Sequence, residues 1–128
     1  MIYIVLNVLP ILLATCAGLC ISAAVYWPRR GTVGPVTLAA TAFIGEFWLC
    51  SILAGALILA PPKAGAWTMA LGSAFVIWLG FVAPALIVTQ RARAQAWRPI
   101  AADCAHWLAV MLAQALVLKS IGLIPPPV

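Results

Sequence analysis

Four apolar runs, at about residues 1–27, 38–60, 67–89 and 100–124, constrain this chain more than any motif in it. Each exceeds the roughly 20 residues a helix needs to cross about 30 Å of hydrocarbon at 1.5 Å rise per residue. Charged residues make up 7% of the sequence, against roughly 25% in a soluble domain, too few to cover a water-facing globule. The connectors WPRRGTVGPVT, PPKAGA and QRARAQAWRP carry Pro and Gly, as helix ends do, and none is long enough to fold separately. The expectation is an all-α integral membrane four-helix bundle, a single four-span transmembrane domain over residues 1–128. The first run lacks a positive leading segment and is about twice as long as a signal-peptide core, so it reads as a span.

The net charge of +5 does not point to nucleic acid, because the basic residues sit in the gaps between apolar runs. Arg29 and Arg30 follow span one, and Arg91, Arg93 and Arg98 follow span three. Lys63 lies in the opposite connector, and Lys119 near the far end of span four can snorkel to that same side. Five basic residues against two predict that the arginine connectors are cytoplasmic and both termini periplasmic, in a bacterial inner membrane. Tyr26, Trp27 and Trp97 fit a cytoplasmic aromatic belt, and Tyr3 and Trp67 an outer one. Trp48 and Trp78 fall near mid-span and are expected to pack between helices. The LATC segment before Cys16 is a poor lipidation site.

Polar residues inside the spans are few and patterned. Asp103, His106, Val110 and Gln114 occupy an arc of about 80° on span four, which should face protein rather than lipid. On span one, Asn7, Ala14, Thr15, Gly18 and Ser22 share an arc of about 100°, and small residues there let helix backbones approach closely. Cys16 and Cys20 point away from that face, and Thr41, Ser51 and Gly55 form a further small-residue face on span two, open to a partner. Glu46 is the sharpest anomaly, since a buried acid costs about 2.5–3.5 kcal/mol on an insertion scale and needs a partner or a proton. At about 12 Å from the cytoplasmic end it shares its depth with His106, which permits a Glu46–His106 contact. Asp103, one turn nearer the end, suits the helix N-terminus and is expected beside Arg91, Arg93 or Arg98. Glu46, Asp103, His106 and Gln114 thus read as a polar cluster that fixes helix packing; a proton or ion path is the alternative. Gly18, Ser22, Gly55, Gly80 and Pro84 are expected to set helix packing. Pro84 removes the hydrogen bond to the Gly80 carbonyl and should kink span three.

Other chemistries find little support. Cys16, Cys20, Cys50 and Cys104 lack the spacing of a metal site, and two carboxylates leave little for hydrolysis. There is no phosphate-binding loop and no nucleophilic triad. Ala102, four residues before His106, would leave room for a flat macrocycle over the imidazole, as in light-harvesting polypeptides. This makes His106 a cofactor-binding candidate for bacteriochlorophyll or haem, although a haem would lack a second histidine.

WLGFVAPALI, then Trp97, then ADCAHWLAVML resembles the second half of the bacterial membrane family called domain of unknown function 1761. The opening, with Asn7 leading to YWP at 26–28, resembles that family's first helix. The resemblance implies a small four-helix inner-membrane protein, implies no reaction, and places Asp103 and His106 at positions of shared structural role. The leading expectation is a non-catalytic accessory subunit of a larger respiratory or photosynthetic membrane complex, contacting other integral membrane subunits and lipids. A small oligomeric transporter or channel using Glu46 is the alternative, and a pigment-binding subunit using His106 a further one. A membrane enzyme ranks last, for want of reactive groups.

Overall fold

The computed structural model describes residues 1–127, with Val128 of the expected domain outside the described residues, and what it describes is all-helical. A short helix α1 (Ile2–Leu6) precedes α2 (Val8–Tyr26), which runs into a 3₁₀ turn at Trp27–Arg29. Then come α3 (Pro35–Leu59), α4 (Ala66–Ile77), a π-helical turn at Trp78–Val82, α5 (Ala83–Ala92) and α6 (Trp97–Ile121). Four of the resulting helical segments are long and apolar enough to cross a membrane: Val8–Arg29, Pro35–Leu59, Ala66–Ala92 and Trp97–Ile121. The chain is a multi-pass membrane protein built as a four-helix bundle.

The ends of these helices follow from local chemistry. Pro35 sits in the first turn of α3, where a missing N–H costs nothing, so that helix begins three residues before the expected Leu38. Pro99 plays the same part in α6, which starts at Trp97 and takes Arg98 out of the connector into its own first turn. Gly122, at φ 90°, ends α6 in a conformation that side-chain-bearing residues rarely adopt.

Two breaks depart from simple runs. Span one, expected as a single helix from residue 1, is interrupted at Asn7, whose φ of −117° and ψ of 23° lie outside the helix. Pro10 has no N–H for the Leu6 carbonyl, which weakens the helix just there. Span three, expected to kink at Pro84, carries a π turn just before it. Without a Pro84 N–H the Gly80 carbonyl loses its usual partner. The backbone rewinds so that the Ala83 N–H donates to the Trp78 carbonyl, five residues back.

Helices α2 and α6 form the central pair, with α3 against α2 and α4 against α6. The buried stripe of α2 is Ile11, Ala14, Thr15, Gly18 and Ser22. It meets Val110, Met111, Gln114, Ala115 and Leu118 of α6 and Cys50, Leu53 and Ala54 of α3. A smaller apolar cluster of Ala83, Ile100 and Cys104 closes the arginine-bearing end. Cys16 and Cys20 face outward, as their side of α2 requires.

Some expected packing residues take other places. Trp48 is 53% exposed on the outer face of α3, so it does not wedge between helices of this chain. A Cβ at Gly80 would meet nothing within 4 Å, so this glycine allows no close approach. Gly55 does, but for this chain's own Tyr3: a Cβ at Gly55 would lie 2.9 Å from the Tyr3 hydroxyl. The Ser51 and Gly55 part of that face of α3 is therefore covered internally while Thr41 stays exposed, and Tyr3 packs inward as well as marking an end.

Candidate polar site inside the bundle

The polar stripes of α2, α3 and α6 converge where the three helices meet. Ser22, three turns beyond Ile11 on α2, brings its hydroxyl to Oε1 of Glu46 and lies 2.9 Å from Nε2 of His106. Glu46 has zero solvent exposure and His106 has 5%. One hydroxyl therefore bridges the acid and the imidazole. The contact expected directly between Glu46 and His106 is made through Ser22, because the α2 backbone runs between α3 and α6. Gly18, one turn away, makes this possible: a Cβ there would lie 2.5 Å from Glu46 Oε2, 3.0 Å from Val110 and 3.1 Å from Gln114 Nε2.

Gln114 joins from below, its Nε2 donating to the Glu46 backbone carbonyl at 3.3 Å. Buried polar groups are ordinarily paired, yet three side-chain atoms here have no partner among the described residues: Glu46 Oε2, His106 Nδ1 and Gln114 Oε1.

Toward the arginine-bearing end the network continues one turn on. The Tyr26 ring packs edge-on against His106 with centroids 4.5 Å apart, and its hydroxyl donates to Asp103 Oδ1 at 2.8 Å. Gln90 Nε2 donates to Asp103 Oδ2 at 2.7 Å. Asp103 is thus held by a phenol and an amide, not by the arginines expected beside it. The arginines are used elsewhere: Arg91 donates to the Gln95 carbonyl and lies over Trp97, and Arg29 donates to the Val25 carbonyl. Guanidinium groups on long stems reach the interface more cheaply than they turn back toward the bundle.

The expected cluster of Glu46, Asp103, His106 and Gln114 is therefore brought to one place. Ser22 and Tyr26 connect it, the first expected only as a small packing residue and the second only as an interface marker. Gln90 carried no signal, since a glutamine at the end of a span reads as an ordinary solvated group. Trp78 is another such link, its Nε1 donating to the Cys104 carbonyl at 2.8 Å, so it does tie span three to span four.

A second polar contact holds the opposite end. The Asn7 side chain donates to the Tyr3 and Ile124 carbonyls at 2.8 Å each and accepts from the Ile124 N–H at 2.7 Å. It thereby docks the segment after α6 onto the break in span one.

A macrocycle does not fit His106. Nε2 is taken by Ser22, Nδ1 is buried, and Tyr26 and Trp107 pack on the ring at 4.5 and 5.1 Å. Ala102, one turn before His106 on the same side of α6, is exposed, but the space around the imidazole that a ring plane would need is already taken by Tyr26 and Trp107. Among the described residues no three His, Cys, Asp or Glu side chains are grouped to hold a metal ion. Comparison with protein-family models, curated proteins and solved structures finds no match for this chain.

Proposed function

We propose that the protein is a non-catalytic accessory subunit of a larger bacterial inner-membrane complex, of respiratory or photosynthetic type. The observation that carries this reading is the uneven burial of the four spans. Span three buries 11% of its most apolar stretch within the protein, whereas span four buries 39%. The outer side of span three forms one wall of a groove of about 530 Å³, lined by Trp48, Ile52, Phe81, Val82 and Trp107. Trp48 and Phe81 are 53% and 74% exposed. Large rigid aromatics around a concave apolar surface suit a helix of another membrane subunit, with lipid filling what remains. The resemblance to domain of unknown function 1761 supports the bacterial inner membrane, and the five-to-two split of basic residues supports periplasmic termini.

Extraction of native membranes into polymer-bounded discs, followed by native mass spectrometry, tests the reading. The expected result is a fixed stoichiometry with one other integral membrane protein, lost when Trp48→Ala and Phe81→Ala are combined. A chain recovered alone with lipid would overturn it. The second reading, a small oligomeric transporter or channel using Glu46, is favoured by the unpartnered Oε2 of that buried acid.

A further inference from the structure

We propose that Glu46, Ser22 and His106 form an intramembrane one-proton site, in which a proton taken up at His106 is delivered to Glu46 through the Ser22 hydroxyl. This goes beyond the accessory-subunit reading and does not depend on it.

Ser22 has one hydroxyl hydrogen and two neighbours, Glu46 Oε1 and His106 Nε2. If Ser22 donates to Glu46, the imidazole must donate to Ser22 from Nε2–H. If Ser22 donates to Nε2, Glu46 must donate to Ser22 as a carboxylic acid. Both patterns satisfy the same three atoms, and they run in opposite directions along the same chain.

The two patterns differ by one proton. In the first, Glu46 is a carboxylate and His106 is neutral with its hydrogen on Nε2. A proton then adds at Nδ1, the Nε2 hydrogen moves to the Ser22 oxygen, and the Ser22 hydrogen moves to Glu46. The product is a carboxylic acid, an intact serine hydroxyl and a neutral imidazole with its hydrogen on Nδ1. One N–H and one O–H bond break, one O–H forms at each of Ser22 and Glu46, and one N–H forms at Nδ1. The cluster passes from one negative charge to none, and a medium of low dielectric favours the uncharged product.

The unpartnered atoms fall where this exchange needs them. His106 Nδ1 is free to gain or lose a proton without breaking the chain. The His106 ring, packed against Tyr26, lies one turn inside the Tyr26–Asp103–Gln90 network that leads to the arginine-bearing end. Glu46 Oε2, the other free oxygen, is closed off by the Gly18 backbone and Gln114. The ionisable groups around the triad are Tyr26 on α2, Cys50 on α3 one turn from Glu46, and Asp103 and Cys104 on α6, with Arg29 beyond α2 near Tyr26. Span three contributes Gln90 and Trp78, which do not ionise here.

The composition makes the test clean, because the chain has a single histidine and only two acidic side chains, Glu46 and Asp103. The full chain, ¹⁵N-labelled at histidine and held in lipid nanodiscs, is titrated while nitrogen resonances and the carboxylic-acid infrared band are followed. The expected result is one transition. His106 passes from the Nε2–H to the Nδ1–H tautomer at the same midpoint at which an acid band, absent in Glu46→Gln, appears. Ser22→Ala should separate the two midpoints, and Ser22→Thr should restore them. A histidine that keeps one tautomer across the folded range, or that titrates to imidazolium while Glu46 stays ionised, overturns the proposal. So does a tautomer switch unchanged in Glu46→Gln, a result readable even if Ser22→Ala fails to fold.

Discussion

At Gly18 the central pair of helices leaves no space for a methyl group. The nearest atom, Glu46 Oε2, belongs to the acid whose other oxygen meets Ser22, so it cannot retreat without disturbing that contact. Gly18→Ala should therefore cost about 1–3 kcal/mol, the usual range for overpacking a filled interior. Gly80, on the outer face of the π turn, provides the contrast. A Cβ there meets nothing, so Gly80→Ala should be neutral or stabilise by up to about 1 kcal/mol, by narrowing the unfolded ensemble. Thermal unfolding in detergent, followed by tryptophan fluorescence, compares the two. Equal destabilisation would contradict the packing described at both sites.

At the scale of the element, span one is two helices because Asn7 is worth more as a connector than as a helical residue. Its side chain presents an amide to Ile124 much as one strand residue presents its backbone to another, closing a contact across 117 residues. Asn7→Ala removes all of these bonds at once. At about 1 kcal/mol for each net hydrogen bond, exchange of the Ile124 amide should accelerate roughly tenfold or more, while exchange at Met111 and Ala115 in the core stays slow. Unchanged exchange at Ile124 would mean that other contacts hold the segment. Span three uses a related economy. Pro84 forces one carbonyl to find a new partner, the π turn supplies it, and Trp78 within that turn reaches the Cys104 carbonyl of span four.

For the whole molecule, polar chemistry is divided between the two ends and the interior. The arginine connectors, Tyr26, Asp103 and Gln90 occupy one end, and Asn7, Ile124 and Lys63 the other. The Glu46–Ser22–His106 bridge lies between them. If the arginine end faces the cytoplasm, a membrane-impermeant thiol reagent applied to intact cells should label Gly65→Cys and spare Thr32→Cys. Both positions are exposed in connectors, so the reagent reads orientation and not burial. Labelling of Thr32→Cys alone would invert the topology without changing the bundle.

The number of spans and their approximate limits were legible in the sequence, because a helix that must satisfy its own backbone in lipid leaves a run of apolar residues of fixed minimum length. So was the inward face of span one, from Asn7 through Thr15 and Gly18 to Ser22, since helical periodicity alone groups those positions. The gathering of Glu46, His106, Gln114 and Asp103 was legible as well, because polar groups in a bilayer are driven away from lipid. Their partners were not. Whether Glu46 meets His106 directly or through Ser22 depends on how far α2 intrudes between α3 and α6. Whether Asp103 takes an arginine or Tyr26 and Gln90 depends on the distances left once span three has taken its π turn. The docking of Ile124 on Asn7, the filling of Gly55 by Tyr3 and the outward turn of Trp48 have the same origin. Periodicity states which face of a helix is polar or small. Only the rotation and separation of packed helices decide which atom on a neighbouring helix comes within hydrogen-bonding reach, and those are set by the summed fit of many side chains at once.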